Sequence, residues 1–180
     1  MNPAEPGGVS TRVNPQPRSA TFVARLPGAL CLLLVLGCAV VSASERAAVL
    51  EAIHQLENPR NLARPGPRGE LGAYQFREAT WRMHTALPFA RAIERACSDH
   101  VAVLHYDWLR RGLERAGLPA TAYHVALAWN SGLYATVSGR APRAAHRYAE
   151  RAANLAVALD KERRLAAQSP NLPVHAGPGG

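Results

Sequence analysis

Glu57 closes a stretch in which Val49, Leu50, Ile53 and Leu56 recur at helical spacing, and Asn58-Pro59 directly after it disfavours further helix. An acid at the end of an apolar helix is a candidate proton donor, because partial burial raises the pKa of a glutamic acid. The segment beyond it is polar and glycine-containing and leads into Gly69-Glu70-Leu71-Gly72-Ala73-Tyr74-Gln75-Phe76. A carboxylic acid kept protonated near neutral pH is what glycosidic bond cleavage needs at its leaving oxygen. Glycines opposite such an acid would let backbone approach a sugar, and Gln75 would supply amide contacts. Most glutamates are solvated surface charges, so this pattern alone does not single out Glu57.

Other chemistries find less support. No P-loop or dinucleotide fingerprint occurs, and the seven histidines form no HExxH and no zinc-type pairing with cysteine. His100 and His105 stand five apart, which does not place them on one helix face, and surface positions are expected for most histidines. Ser131 lacks a G-x-S-x-G setting. Cys97 reads as a small core residue rather than a nucleophile. No metal ion or organic cofactor is signalled.

The elements that must position Glu57 are almost all helical. Ser42 and Glu45 form a possible capping box for the helix that ends at Glu57. Residues 58–72, with two further prolines and three glycines, read as a loop or small hairpin. A short helix is expected from Phe76 to His84, and Pro88 opens another at its first turn, through Ala90, Ile93 and Cys97. Asp99 is the expected cap of the longest helix, which carries Val103, Leu104, Trp108, Leu109 and Leu113 to a stop at Gly117. Thr121 caps a helix through Val125, Ala126 and Trp129 that Asn130-Ser131-Gly132 interrupts. A last helix opens near Pro142 and runs through Tyr148, Ala152, Leu155 and Leu159. The expected body is a compact, mainly α domain with a short loop or β-hairpin after its first helix.

Composition bounds the setting. The chain has 180 residues, a formal charge of +8 and 48% apolar residues, which fits one globular domain. Its basic residues are scattered single arginines rather than a run, which argues against nucleic acid as the partner. Arg12, Arg18 and Arg25 precede an apolar run of 13 residues, Ala29 to Val41, and small residues follow. Residues 1–43 therefore read as a secretory signal peptide with a long front and cleavage after Ala43; so short a run is a poor membrane span. An uncleaved anchor is one alternative. Lipidation is another, because Val35-Leu36-Gly37-Cys38 loosely resembles a lipobox. Either would tie the protein to a membrane. Otherwise it is expected in the periplasm or cell envelope, as a domain over residues 44–165 with a disordered tail at 166–180.

Three segments in order resemble the soluble lytic transglycosylases, a lysozyme-like family of peptidoglycan-cleaving enzymes. In that family a catalytic Glu ends a helix and a Gly-x-x-Gly-x-x-Gln segment follows; here Gly69, Gly72 and Gln75 stand 12, 15 and 18 residues after Glu57. Ala128-Trp129-Asn130-Ser131-Gly132 matches the family's Ala-Tyr-Asn-Ala-Gly segment. Tyr148-Ala149-Glu150-Arg151 matches its closing helix, where a tyrosine stands beside the catalytic acid. The resemblance spans roughly Ala47 to Leu159. It departs at Asn58, where the family usually has Ser, and at Gly72-Ala73-Tyr74-Gln75, where it usually has Gly-Leu-Met-Gln.

The resemblance implies an α+β lysozyme-like fold and peptidoglycan glycan strands as substrate. Glu57 would be the single catalytic acid and base, cutting the N-acetylmuramic acid–N-acetylglucosamine β-1,4 bond and leaving a 1,6-anhydro end. Gly72, Ala73, Tyr74, Gln75, Trp129, Asn130 and Tyr148 would contact sugar or orient Glu57. Glu70 opens an alternative. Goose-type lysozymes resemble this chain in carrying an acid at about that point, and an inverting hydrolase needs a second carboxylate to activate water. A third reading keeps the fold as a non-catalytic wall-binding protein. Among the aromatic residues, Tyr74 and Trp129 are expected to line the groove, and Trp108 to be core.

Overall fold

A computed structural model describes the backbone of residues 28–168 and the side chains of residues 43–168. The first 27 residues of the expected signal peptide, the Cys31 and Cys38 side chains and the expected tail from Ser169 lie outside the described residues. The helices are α1 (Gly28–Glu57), α2 (Glu78–Arg82), α3 (Arg95–Arg115), α4 (Ala122–Ser131), α5 (Leu133–Val137) and α6 (Arg143–Gln168), with a 3-10 helix at Phe89–Ile93 between α2 and α3. Mainly α architecture is therefore the outcome. The only strand-like feature among the described residues is an antiparallel bridge between Leu71 and Phe76, which closes the turn after α1. Among the described residues no helix is long and apolar enough to cross a membrane.

Helices α1 and α6 run antiparallel. The Ser44 hydroxyl donates to Asp160 at 2.9 Å near one end, and Tyr148 lies against Glu57 at the other. Ala145, Ala149, Ala152 and Ala156 recur at helical spacing on α6 and are all buried. Their small side chains let α6 lie close along α4 and α1. The main core gathers Val49 and Ile53 of α1, Trp81 of α2, Val101, Leu109 and Leu113 of α3, and Val125 of α4. Burial of seven such side chains, each worth about 1.5–3 kcal/mol, is the principal force holding the first helix and its terminal glutamate in place.

Several expected boundaries move. The helix ending at Glu57 does not start at a capping box: its backbone is helical from Gly28, so Ser42 and Glu45 lie inside it. Cleavage after Ala43 would cut this helix one turn before Ala48, its first buried residue among those described, and leave its packed part whole. The expected helix from Phe76 shrinks to Glu78–Arg82, because Phe76 is held in the bridge with Leu71. Pro88 precedes a 3-10 turn rather than opening an α-helix. Asp99 is not a cap; α3 starts four residues earlier, after Glu94, and Asp99 bonds instead to Tyr74 and Arg95. The Thr121 cap stands, its hydroxyl accepting from the His124 amide. The break comes after Ser131, at Gly132, whose φ of +88° suits glycine. Helix α6 continues to Gln168, so residues 166–168 belong to it rather than to the tail.

Candidate functional site

Glu57 is the last residue of α1. The next amide still closes a helical bond, Asn58 N–H to His54 O at 2.9 Å, and the chain then turns at Pro59. Asn58 is buried, and its side chain staples the loop. Its Nδ2 donates to Leu62 O at 3.0 Å and Gly72 O at 3.1 Å, while its Oδ1 accepts from the Leu62 amide at 2.9 Å. One side chain thus ties the helix end to both limbs of the segment that carries Glu70 and Gln75.

That segment folds back on itself. Gly66 N–H donates to Glu70 O at 2.8 Å, and Gln75 N–H and Nε2 both donate to Gly72 O, at 3.2 and 3.0 Å. Gln75 has a φ of +47°, a strained value for a residue with a side chain. The Glu70 and Gln75 side chains lie across the backbone of Gly66; a Cβ there would stand 2.6 Å from Gln75 Oε1 and 2.8 Å from Glu70 Oε2. Gly66 is therefore the glycine that close approach requires, and nothing in the sequence distinguished it from its neighbours.

Glu57, Glu70, Gln75, Trp129 and Asn130 line one cleft of about 580 Å³, with Arg68, Arg77 and His105. A second depression of about 540 Å³ runs under residues 58–67 and shares Glu57, Pro67 and Gln75 with the first. Glu57 thus lines both depressions, each of a size that holds small-molecule or sugar ligands.

The electrostatics of the two acids differ. Burial pushes the Glu57 carboxyl above its usual range, and the negative charge of Glu70 adds to this, while the Tyr148 hydroxyl pulls the other way. Tyr148 is itself buried and pushed up by burial and by the charge of Glu57. Its hydroxyl has no partner at standard hydrogen-bond geometry, so the contact with Glu57 is a loose one. For Glu70, partial burial acts upward. Hydrogen bonds from the Arg68 amide, at 2.8 Å, and from its own amide outweigh that effect, together with the charges of Arg77 and Arg68, and the net direction is down. Arg77 Nε lies 3.9 Å from Glu70. Their surroundings thus push the two carboxyls in opposite directions.

Three expected groove residues lie elsewhere. Tyr74 is 3% exposed, and its hydroxyl donates to Asp99 at 2.7 Å beneath the Arg95 guanidinium, so it ties the turn to α3 instead of facing the cleft. Ala73 is fully buried in the main core. Gly72 is also buried, with a φ of +78°, and a Cβ on it would collide with the carbonyl of Ala92. It serves packing against the 3-10 turn, not approach to a ligand. Gly69, at a φ of +77°, makes the exposed turn. Tyr148 sits behind Glu57 rather than in the cleft lining.

Two histidines depart from the surface positions expected of them. His54 is buried against Arg95, and His105 lies at the cleft floor. His105 shares a hydrogen bond of 2.9 Å with His84, stacks on Trp108 and meets Trp129 edge-on at 4.8 Å between centroids. Burial and the neighbouring His84 hold its pKa down at about 3. It is a neutral strut for Trp129. Trp108 is half-buried rather than fully core. Among the described residues no three His, Cys, Asp or Glu side chains converge as metal ligands. The chain matches no protein-family profile, no curated protein and no solved structure.

Proposed function

We propose that the chain is an exported lytic transglycosylase of lysozyme-like fold, acting on peptidoglycan strands in the cell envelope. The observation that carries this reading is the placement of Glu57: a carboxyl whose pKa burial raises, at a helix end, lining both cleft segments. A strand lying through both segments puts one glycosidic oxygen at that carboxyl. Glu57 gives its proton to the oxygen as the C1–O bond breaks. The resulting carboxylate then takes the proton of the muramyl 6-hydroxyl as that oxygen closes on C1, restoring the acid and leaving a 1,6-anhydro end. The nucleophile belongs to the same sugar, so no water has to be captured.

Around this centre Gln75 and Asn130 offer amides to the sugar, and Trp129, steadied by His105, supplies an apolar wall. Tyr148 supports Glu57 from behind, stabilising the carboxylate that forms after proton transfer. Gly72, Ala73 and Tyr74 contribute by holding the turn in place.

One observation favours a second reading. Glu70 lines the same cleft and is held ionised, the state that a water-activating base requires. The protein would then be a lysozyme-type hydrolase using both acids. Peptidoglycan zymograms of the wild type and Glu57→Gln test the catalytic assignment common to both readings. Clearing by the wild type and none by the variant is expected. Equal clearing by both would overturn the assignment, and no clearing by either would leave a wall-binding protein.

A further inference from the structure

The two cleft segments that share Glu57 carry four arginines and only two carboxylates. Arg60 and Arg64 line one segment, and Arg68 and Arg77 line the other. All four are exposed. Arg77 leans toward Glu70, whereas the side chains of Arg60, Arg64 and Arg68 form no ion pair among the described residues. Even with both Glu57 and Glu70 ionised, the four guanidinium groups outnumber the carboxylates that line the two segments. Guanidinium groups thus stand on both arms of the approach to Glu57, with a net positive balance over the two together, and a concave wall strengthens such a field over that of a flat surface.

A neutral polysaccharide would gain little from this arrangement. A strand bearing carboxylates at regular intervals on both sides of the cut bond would meet a guanidinium on each arm. We infer that the cleft selects glycan strands by the carboxylates of their substituents, as on the peptide stems of peptidoglycan, and that Arg60, Arg64, Arg68 and Arg77 are the groups that read them. This inference rests on the proposed substrate class and narrows it, making charge on the stems a determinant of binding separate from the chemistry at Glu57.

The test measures binding in the full chain carrying Glu57→Gln, which keeps the strand uncut. Fluorescence anisotropy follows labelled soluble peptidoglycan strands, either native or with their carboxylates capped as methylamides, at low salt and at about 0.5 M salt. Exposed charge pairs of this kind change affinity by roughly two- to fivefold each, so native strands should bind on the order of tenfold more tightly than capped ones. The preference should shrink at high salt, where the screening length drops to roughly 4 Å. Replacing Arg60, Arg64 and Arg68 together by Gln should abolish most of it, and Arg64→Glu alone, a single exposed change, should reduce it severalfold. Equal affinity for native and capped strands, or a preference that survives in both arginine variants, overturns the inference. Peptidoglycan clearing by the unsubstituted protein is read in parallel. Clearing without a charge preference sinks this inference and spares the proposed function. A charge preference without clearing sinks the enzyme and spares the inference.

Discussion

Asn58 is where the account is most exposed to a stability measurement. Its three hydrogen bonds join the end of α1 to Leu62 and Gly72, and the side chain is only 7% exposed. Asn58→Ala removes all three. The Gly72 carbonyl keeps the two donors of Gln75, and Leu62 is exposed enough for its backbone to regain water, so the loss falls below three full bonds. About 2 kcal/mol is expected, or roughly 8 °C in Tm for a domain of this size. Asn58→Asp is nearly isosteric and keeps the acceptor for the Leu62 amide, yet it turns the donor of two bonds into an oxygen facing two carbonyls. An uncompensated buried charge costs about 3 kcal/mol or more, so at pH 7 the Asp variant should be the less stable of the two. Burial raises the new carboxyl's folded-state pKa, so the penalty is absent below its unfolded pKa and grows as pH rises through the folded value. Thermal melts by circular dichroism at pH 7 and pH 4, with hydrogen exchange of the Leu62 amide, check this. An Asp variant as stable as wild type at pH 7, or an Ala variant within about 1 °C of it, would refute the staple.

Other perturbations have equally definite signs. The folded-state pKa of Glu57 lies above its unfolded value, so stability from the protonated acid is present below the unfolded pKa and is lost as pH rises through the folded one. Glu57→Gln should therefore raise Tm at pH 7 and by less at pH 4; a lower Tm at pH 7 would contradict the buried acid. Tyr148→Phe removes the group that holds the Glu57 pKa down, so the basic limb of the pH–activity profile should move to higher pH. A limb that stays in place would show that the loose contact carries no weight. Gly72→Ala must take a left-handed backbone and press a Cβ on the Ala92 carbonyl, for a loss of about 2–5 kcal/mol by chemical denaturation.

Local signals in the chain were enough to locate most elements of the fold. Apolar spacing ending at Asn58-Pro59 located Glu57 at a helix end, Thr121 marked the start of α4, and the Asn130-Ser131-Gly132 segment its end to within two residues. What escaped depended on partners far along the chain. Tyr74 read as a groove aromatic because nothing nearby announces its bond to Asp99, 25 residues on. The same bond explains why Asp99, a plausible cap by residue type, is occupied elsewhere. His105 looked like a surface residue until His84, Trp108 and Trp129 closed around it. At Gly72 it is the Ala92 carbonyl that excludes a side chain, a contact 20 residues away that local spacing does not announce. Of the candidate site, Glu57, Glu70, Gln75, Trp129 and Asn130 converge on the cleft, while Gly66 and the loop arginines carried no signal in their spacing.

The most direct test of the central claim is the mass of the products formed from purified peptidoglycan in heavy-oxygen water. Proton donation by Glu57 with ring closure by the muramyl 6-hydroxyl predicts anhydro-muramyl ends free of solvent oxygen, formed by the wild type and absent with Glu57→Gln. Reducing ends labelled by solvent would contradict the ring-closing step, and products formed equally by the variant would contradict the role of Glu57 itself.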